Sequence, residues 1–155
     1  MLTINIPGRG ELVLAHLVLD YNGTIALDGS LIPGIAERLE KLKDNLQIWV
    51  ITADTHGTAA RHCENLPLTV LTHPTTQVGV IKADFVRSLT GGVVTVGNGF
   101  NDAAMSEAAD LSLCVLGPEG CCGRLVGACD ILVRSITDAL DLLLNPDRIR
   151  ATLRT

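Results

Sequence analysis

The sequence predicts an α/β domain built around a mostly parallel sheet, and three observations predict it. Short apolar runs alternate with amphipathic stretches of helical period along the chain, the order expected of strand–helix repeats. Hydrophobic residues make up 47% of the chain but aromatic ones only 3%, so the core must come from Val, Leu, Ile and Ala, as in strands buried on both faces. Several apolar runs end abruptly in reactive or turn-forming residues: Asp20, Thr52-Ala53-Asp54, and Gly97-Asn98-Gly99-Phe100-Asn101-Asp102. Open α/β sheets keep their ligands at such strand ends. A chain of 155 residues suits one domain, 1–155.

Leu2–Ile6 and Glu11–Leu19 are predicted as strands, with Pro7-Gly8-Arg9-Gly10 between them as a hairpin signal. This places an antiparallel edge strand beside the strand that delivers Asp20. Ile25–Leu31 is a short flap that turns at Asp28-Gly29. A helix starts near Pro33 and runs to about Asp44, with Ile35, Leu39 and Leu42 on its apolar face. Gln47–Ile51 is the next strand and Thr52-Ala53-Asp54-Thr55 its polar end; a short helix passes through Ala59, Ala60 and Cys63. Leu68–Leu71 is a strand. Gln77–Leu89 is a helix with Val78, Ile81, Phe85 and Leu89 turned inward and Lys82 near its start. Val93–Val96 is a strand, followed by a helix through Ala103, Ala104 and Met105, then strands Leu111–Val115 and Ile131–Val133. Thr137–Leu144 closes the domain, Asn145-Pro146 opens a last short helical turn, and the basic Arg148–Thr155 reads as a solvated helix.

The net charge of −5 leaves no global basic field to attract nucleic acid or anionic lipid, so a phosphate-bearing ligand needs local groups. No apolar run approaches the roughly 20 residues of a membrane span. Pro7, Arg9 and Glu11 interrupt the first residues where a signal peptide requires an unbroken apolar region, so a cytoplasmic protein is expected. The five cysteines are odd in number and form no C-x-x-C pair, and His16, His56, His62 and His73 have no ligand spacing with them; neither a disulfide framework nor a zinc site is expected. Cys121 and Cys122 fall at a helix start. They read either as acidified, redox-sensitive thiols or as small residues packing the helix end.

In a parallel sheet Asp20, Thr52 and the Asn98/Asp102 loop share one edge, and Lys82 can reach it from its helix. Gly23 permits close backbone approach, and Thr24 adds a hydroxyl and an N–H. One nucleophilic carboxylate, a hydroxyl, an ammonium and a further carboxylate are what phosphoryl transfer to a carboxylate needs. Asp20 attacks phosphorus, while Thr52, Lys82 and backbone N–H groups near Gly23 hold the oxygens. Carboxylates hold Mg²⁺.

The chain resembles the haloacid dehalogenase-like (HAD) hydrolase superfamily, close to its soluble P-type ATPase-like group. The first motif of that superfamily, D-x-[DNT]-G-T, appears as Asp20-Tyr21-Asn22-Gly23-Thr24. The Ser/Thr motif appears as Thr52-Ala53-Asp54, similar to the T-G-D of P-type ATPases; Lys82 matches the lysine motif, and Gly97–Asp102 matches G-D-G-x-N-D. The motifs run in order, and the likeness spans residues 13 to about 134. It implies a Rossmann-like three-layer α/β/α fold and a Mg²⁺-dependent phosphohydrolase with an aspartyl-phosphate at Asp20, acting on a small phosphorylated molecule. It further implies catalytic roles for Asp20, Asn22, Thr52 and Lys82. Gly23, Thr24, Thr52, Ala53, Lys82 and Asn101 would contact substrate, and Asp20, Asn22 (backbone), Asn98 and Asp102 would hold or orient the metal.

Two positions depart from the motifs. Asn22 stands where family phosphatases carry the Asp that protonates the leaving group, a role an amide cannot fill and whose loss costs about 10²–10⁴ in rate. Asn98 replaces a metal-binding Asp, which lowers the negative charge offered to a hard cation. Asp54 reads either as an additional ligand or as the cap of the following helix. Residues 25–32 and 53–77 leave no room for a substantial cap domain, so the open site would accept phosphate on a large partner or be covered by a neighbouring subunit, and the apolar composition and N-terminal hairpin are compatible with a homo-oligomer. The alternative function is a catalytically weak or inactive phosphate-sensing or interaction module, which both asparagines favour. A nucleotide-binding Rossmann domain is disfavoured, because no G-x-G-x-x-G follows the first strand.

Overall fold

A computed structural model describes residues 1–54, 57–74 and 76–155. Its centre is β2 (Gly10–Asp20), whose two halves serve different partners. The first half pairs antiparallel with β1 (Leu2–Ile6), from Ile6↔Gly10 to Leu2↔Leu14. The second half is flanked by parallel neighbours on both sides: β5 (Gln47–Thr52), with Asp20 opposite Ile51, and β7 (Gly92–Gly97), with Leu19 opposite Val96. β6 (Thr69–Thr72) pairs with β5, β8 (Leu111–Val115) with β7, and β9 (Ile131–Val133) with β8, all parallel, giving the order β6-β5-β2-β7-β8-β9. The predicted hairpin is present, but β1 extends the lower end of β2 and leaves its upper end to the parallel partners.

Helices cover both faces, making three layers. Leu17 and Leu19 point into the larger core, which contains Leu39 and Leu42 of α1 (Ile35–Leu42) and Ala139, Leu140 and Leu143 of α6 (Ile136–Leu144). Val18 points the other way, to Val86 of α3 (Val78–Ser88) and Met105 of α4 (Ala103–Ala108). The period of two in a strand produces this division. α2 (Thr58–His62) and α5 (Gly123–Ala128) are short connectors. β3 (Ala26–Leu27) and β4 (Ser30–Leu31) form the flap. Its turn residues, Asp28 at φ 50° and Gly29 at φ 79°, have the paired positive φ of a type I′ hairpin. No substantial cap domain stands over the sheet edge among the described residues. Thr55 of the predicted polar end and His56 lie outside those residues.

Two predicted faces need correction. On α3 the fully inward positions are Val78, Lys82, Ala83 and Val86, while Ile81, Phe85 and Leu89 flank them half-buried. The apolar stripe is offset by one position because a lysine occupies its centre. The C-terminal turn is a full helix, α7 (Pro146–Leu153), and is docked rather than wholly solvated. Ile149 is buried in the main core and Leu153, one turn on, packs against it, an apolar side hidden in sequence by the arginines around it.

Arg38 of α1 and Asp141 of α6 clamp the helical layer with two hydrogen bonds, Nε to Oδ1 at 2.8 Å and Nη2 to Oδ2 at 3.0 Å. The guanidinium hydrogen bond holds the Asp141 carboxyl below its ordinary range. A lowered folded pKa contributes stability above the unfolded value of 3.8 that is lost as pH falls through the folded value. Arg38→Ala is expected to lower the urea midpoint of the wild type at pH 7 and to leave that of Asp141→Asn unchanged. The difference should vanish in acid, below the ordinary carboxylate range.

Candidate active site

Asp20 ends β2 in the middle of the sheet's carboxyl edge and is 7% exposed. The chain turns at once: the amides of Thr24, Ile25 and Ala26 all donate to the Tyr21 carbonyl, and the Gly23 amide donates to Ala26 O at 2.8 Å. Gly23 has φ +77°, and a Cβ there would collide with the Asn98 side-chain amide and come within 2.5 Å of Glu119 Oε2. Only glycine fits on both counts. The turn brings the buried Thr24 back over Asp20. Its hydroxyl lies 3.1 Å from Asp20 Oδ2 and 3.3 Å from Asn98 Oδ1, donating toward both acceptors.

Lys82 reaches the same point from the inward face of α3. Its side chain is 1% exposed, and Nζ donates to Asp20 Oδ1 at 2.5 Å and to Asp102 Oδ1 at 2.7 Å. Asp102 is fully buried, and its other oxygen accepts the amides of Asn98 at 3.0 Å and Gly99 at 2.9 Å. Its place under β7 requires Gly97, where a Cβ would lie 2.5 Å from the Asp102 carboxyl carbon. Both Asp102 oxygens are therefore committed to Lys82 and to the loop. Asn98 is held from two sides: its side-chain Nδ2 donates to Gly120 O at 3.2 Å, and its backbone carbonyl accepts from the Cys122 amide at 2.8 Å. The amide oxygen is thereby turned toward Thr24 and Asp20.

The structure thus brings together Asp20, Thr24, Lys82, Asn98 and Asp102. Thr52 ends the neighbouring β5, one residue past the partner of Asp20, and is buried with Oγ1 accepting the Asp54 amide at 3.2 Å. Ala53 follows it, half-buried. Asp54 accepts the Thr58 hydroxyl at 2.9 Å and the Ala59 amide at 2.6 Å, so it caps α2. Asn22 and Asn101 are exposed. Two features had no signal in the sequence: the Gly120 carbonyl that orients Asn98, and Glu119 over Gly23. Both belong to a Gly-Pro-Glu-Gly segment that reads only as a turn closing a strand.

Burial, and then the charge of Asp102, push the Asp20 carboxyl up to about 6 against the pull of Lys82. Burial opposes the Lys82 charge, but the two carboxylates outweigh it and hold the ammonium above its ordinary range. Burial also raises the thiol of Cys121, which packs with Cys114, Cys122 and Cys129 around Leu125. The acidified thiol considered for a helix start is therefore not found at Cys121. The donors facing Thr24 are all oxygen, a carboxylate and an amide carbonyl, the chemistry that suits a hard divalent cation such as Mg²⁺.

No protein-family model matches the chain. Among solved structures it is similar to a Streptomyces avermitilis MA-4680 protein assigned to the HAD family of hydrolases (TM-score 0.70, 18% identity, 87% of each chain). It is also similar to the 3-deoxy-D-manno-octulosonate 8-phosphate phosphatase of Moraxella catarrhalis, solved with magnesium ion, phosphate ion and KDO (TM-score 0.66, 14% identity, 91% of this chain and 94% of that one). A zinc-transporting PIB-type ATPase in its E2·Pi state shares the fold over 79% of this chain and 20% of its own (TM-score 0.65, 20% identity). The chain has the HAD hydrolase fold. In sequence it belongs with two uncharacterized proteins of Methanocaldococcus jannaschii. One, MJ0073, is 47% identical over 62 residues (40% of this chain, 67% of the relative); the other, MJ0072, is 49% identical over 39 residues (25% and 89%). No helix among the described residues is long and apolar enough to cross a membrane.

The Asp20 carboxyl titrates at about 6 when folded, against 3.8 ordinarily. The sign follows from the raised value: the group favours the fold below 3.8, and that contribution is lost as pH rises through 6. In urea denaturation the wild type should therefore gain stability relative to Asp20→Asn as pH falls from 7 toward 4, because only the wild type takes up a proton on Asp20 there.

Proposed function

We propose that this chain is a Mg²⁺-dependent phosphohydrolase of the cytoplasm, acting on a small phosphorylated molecule through an aspartyl phosphate at Asp20. The buried Lys82 carries the reading. An ammonium removed from water is costly, and two carboxylates at a strand edge repay that cost only by direct pairing. An incoming phosphoryl group can take over part of that pairing.

An Asp20 carboxylate oxygen attacks phosphorus. The new Asp20–phosphorus bond forms as the bond to the leaving oxygen breaks, and the leaving group departs with the electron pair. Lys82, the Thr52 hydroxyl and the amides of the Gly23 loop and Ala53 receive the non-bridging oxygens. Water then attacks phosphorus, the bond to Asp20 breaks, and the carboxylate returns with release of inorganic phosphate. Asp20, Asn98 Oδ1 and the Asn22 carbonyl would hold Mg²⁺, which supplies the positive charge that lets an anionic nucleophile meet an anionic phosphate. Asp102 acts as a positioning residue, holding both Lys82 and the loop that carries Asn98.

Asn22 favours one rival reading. Its amide cannot pass a proton to a leaving group or take one from water, as a phosphate-sensing module that turns over slowly would not need to. An acyl phosphate, whose leaving group needs no proton, suits the site as an enzyme.

Phosphate release from acetyl phosphate and p-nitrophenyl phosphate tests the choice. Release is expected to need both Mg²⁺ and Asp20, to be absent in Asp20→Asn, and to be faster from acetyl phosphate. Asn22→Asp should raise p-nitrophenyl phosphate turnover by about a hundredfold or more. A folded protein that releases phosphate from neither substrate would sink the general phosphatase reading and leave a very selective enzyme or the sensing module; no gain in Asn22→Asp would favour the module.

A further inference from the structure

Four of the five cysteines, Cys114, Cys121, Cys122 and Cys129, gather around Leu125 beneath α4 and α5. The fifth, Cys63, belongs to the main core. Leu113 and Val115 of β8 face that main core, so Cys114 between them points to the other side of the sheet. Cys114 is fully buried, with Gly97 of β7 on one side and Leu132 of β9 on the other.

Cys129 is brought to it by the end of α5. Its amide donates to Leu125 O at 3.0 Å, closing the helix. The next residue, Asp130, is tied to β8 at Ser112. Its amide donates to the Ser112 carbonyl and hydroxyl, each at 3.0 Å, and its carboxylate accepts the Ser112 amide and hydroxyl, each at 2.9 Å. Ser112 and Cys114 project from the same face of the strand, so anchoring Asp130 at Ser112 lays Cys129 against Cys114. The two sulfurs are 2.6 Å apart. A disulfide is about 2.05 Å long, so bonding asks for a movement of roughly half an ångström. Burial, and then the contact with Cys129, pushes the Cys114 thiol up. Cys129 is half-buried, so the first encounter with an oxidant falls to it.

We infer that Cys114 and Cys129 are a reversible dithiol–disulfide pair, oxidised by a peroxide. The Cys129 sulfur attacks one peroxide oxygen, the O–O bond breaks, and Cys129 becomes a sulfenic acid as water leaves. The Cys114 sulfur then displaces that hydroxyl, which departs as a second water with the Cys114 proton. Two thiols lose two electrons and one peroxide gains them. A single reversible pair of this kind, unlike a disulfide framework, suits a reducing compartment. The bond would close a span of 15 residues containing both groups that hold Asn98, the Gly120 carbonyl and the Cys122 amide. None of this depends on turnover at Asp20.

Treatment of the folded full chain with hydrogen peroxide, followed by alkylation of the remaining thiols in denaturant and peptide mass mapping, tests the pairing. Cleavage after Glu119 and Arg124 puts Cys114, the adjacent Cys121 and Cys122, and Cys129 on three separate peptides. Three of the five cysteines should be alkylated, with the Cys114 peptide joined to the Cys129 peptide and released by dithiothreitol. Cys129→Ser should lose that cross-link while folding normally, and Cys121→Ser should keep it. Full alkylation of all five cysteines after peroxide would overturn the pairing. So would a cross-link that joins Cys114 or Cys129 to the Cys121-Cys122 peptide instead, or a sulfinic acid at Cys129 beside an alkylated Cys114.

Discussion

The ammonium of Lys82, enclosed between Asp20 and Asp102, is the interaction to which the other features of the site are fitted. A buried lysine without partners would shed its proton or unfold its surroundings. Two carboxylates keep it charged, and each must be brought to it from elsewhere in the chain. Asp20 comes from the end of the central strand, and Asp102 from a loop that folds back beneath β7. That fold-back needs a residue without a side chain at 97 and two amides, from Asn98 and Gly99, to receive the second oxygen. α3 must then lie so that its most buried position faces the junction of these segments. Three stretches distant in sequence are joined by one cation, so a change in any of them reaches the others.

The sheet supplies the rigidity this arrangement needs. β2 has a parallel neighbour on each side of its upper half, and Leu17, Val18 and Leu19 are fully buried, alternating between the two helical layers. A carboxylate that follows such a run cannot shift without moving both cores. The cost of burying it falls on a strand fixed on every side, which is where a strained or desolvated group is tolerated. The Asn22–Thr24 turn has the opposite character. Its amides converge on one carbonyl and on Ala26, its glycine takes a positive φ, and the backbone is drawn close to the space above Asp20.

Much of this was legible in the sequence, for reasons that also explain what was not. Strand ends announce themselves, because an apolar run stopping at Asp20, Thr52 or Gly97-Asn98 changes both hydropathy and turn chemistry at one residue. The Asp28-Gly29 turn was legible because few residues tolerate its backbone. The face of α3 was not, since periodicity counts a lysine as polar and cannot register two carboxylates waiting for it. Ile149 was obscured in the same way by neighbouring arginines. The role of Asp102 as a double acceptor, and the approach of Glu119, depend on how loops fold back on themselves, and no local pattern encodes that. The capping role of Asp54 was legible as one of two readings, and its bonds to Thr58 and Ala59 match that one.

Within the proposed reading, the two asparagines, at 22 and 98, bear on the same balance of charge. A unit charge about 4 Å from another is worth about 4 kcal/mol in a partly screened protein site. Replacing a carboxylate by an amide therefore weakens the hold on a cation and, by a similar amount, relieves the repulsion of a phosphate. A site with both amides accepts an anion more readily before a metal arrives and retains a lone metal less well. Within the proposed reading, cation and phosphate then bind best together, each reducing the cost of the other, as expected when two ligands share one field. Lys82 is suited to that order. Unliganded, it neutralises half of the paired carboxylate charge; in the proposed reading its donors would turn from Asp20 to the phosphate oxygens and free the carboxylate for attack.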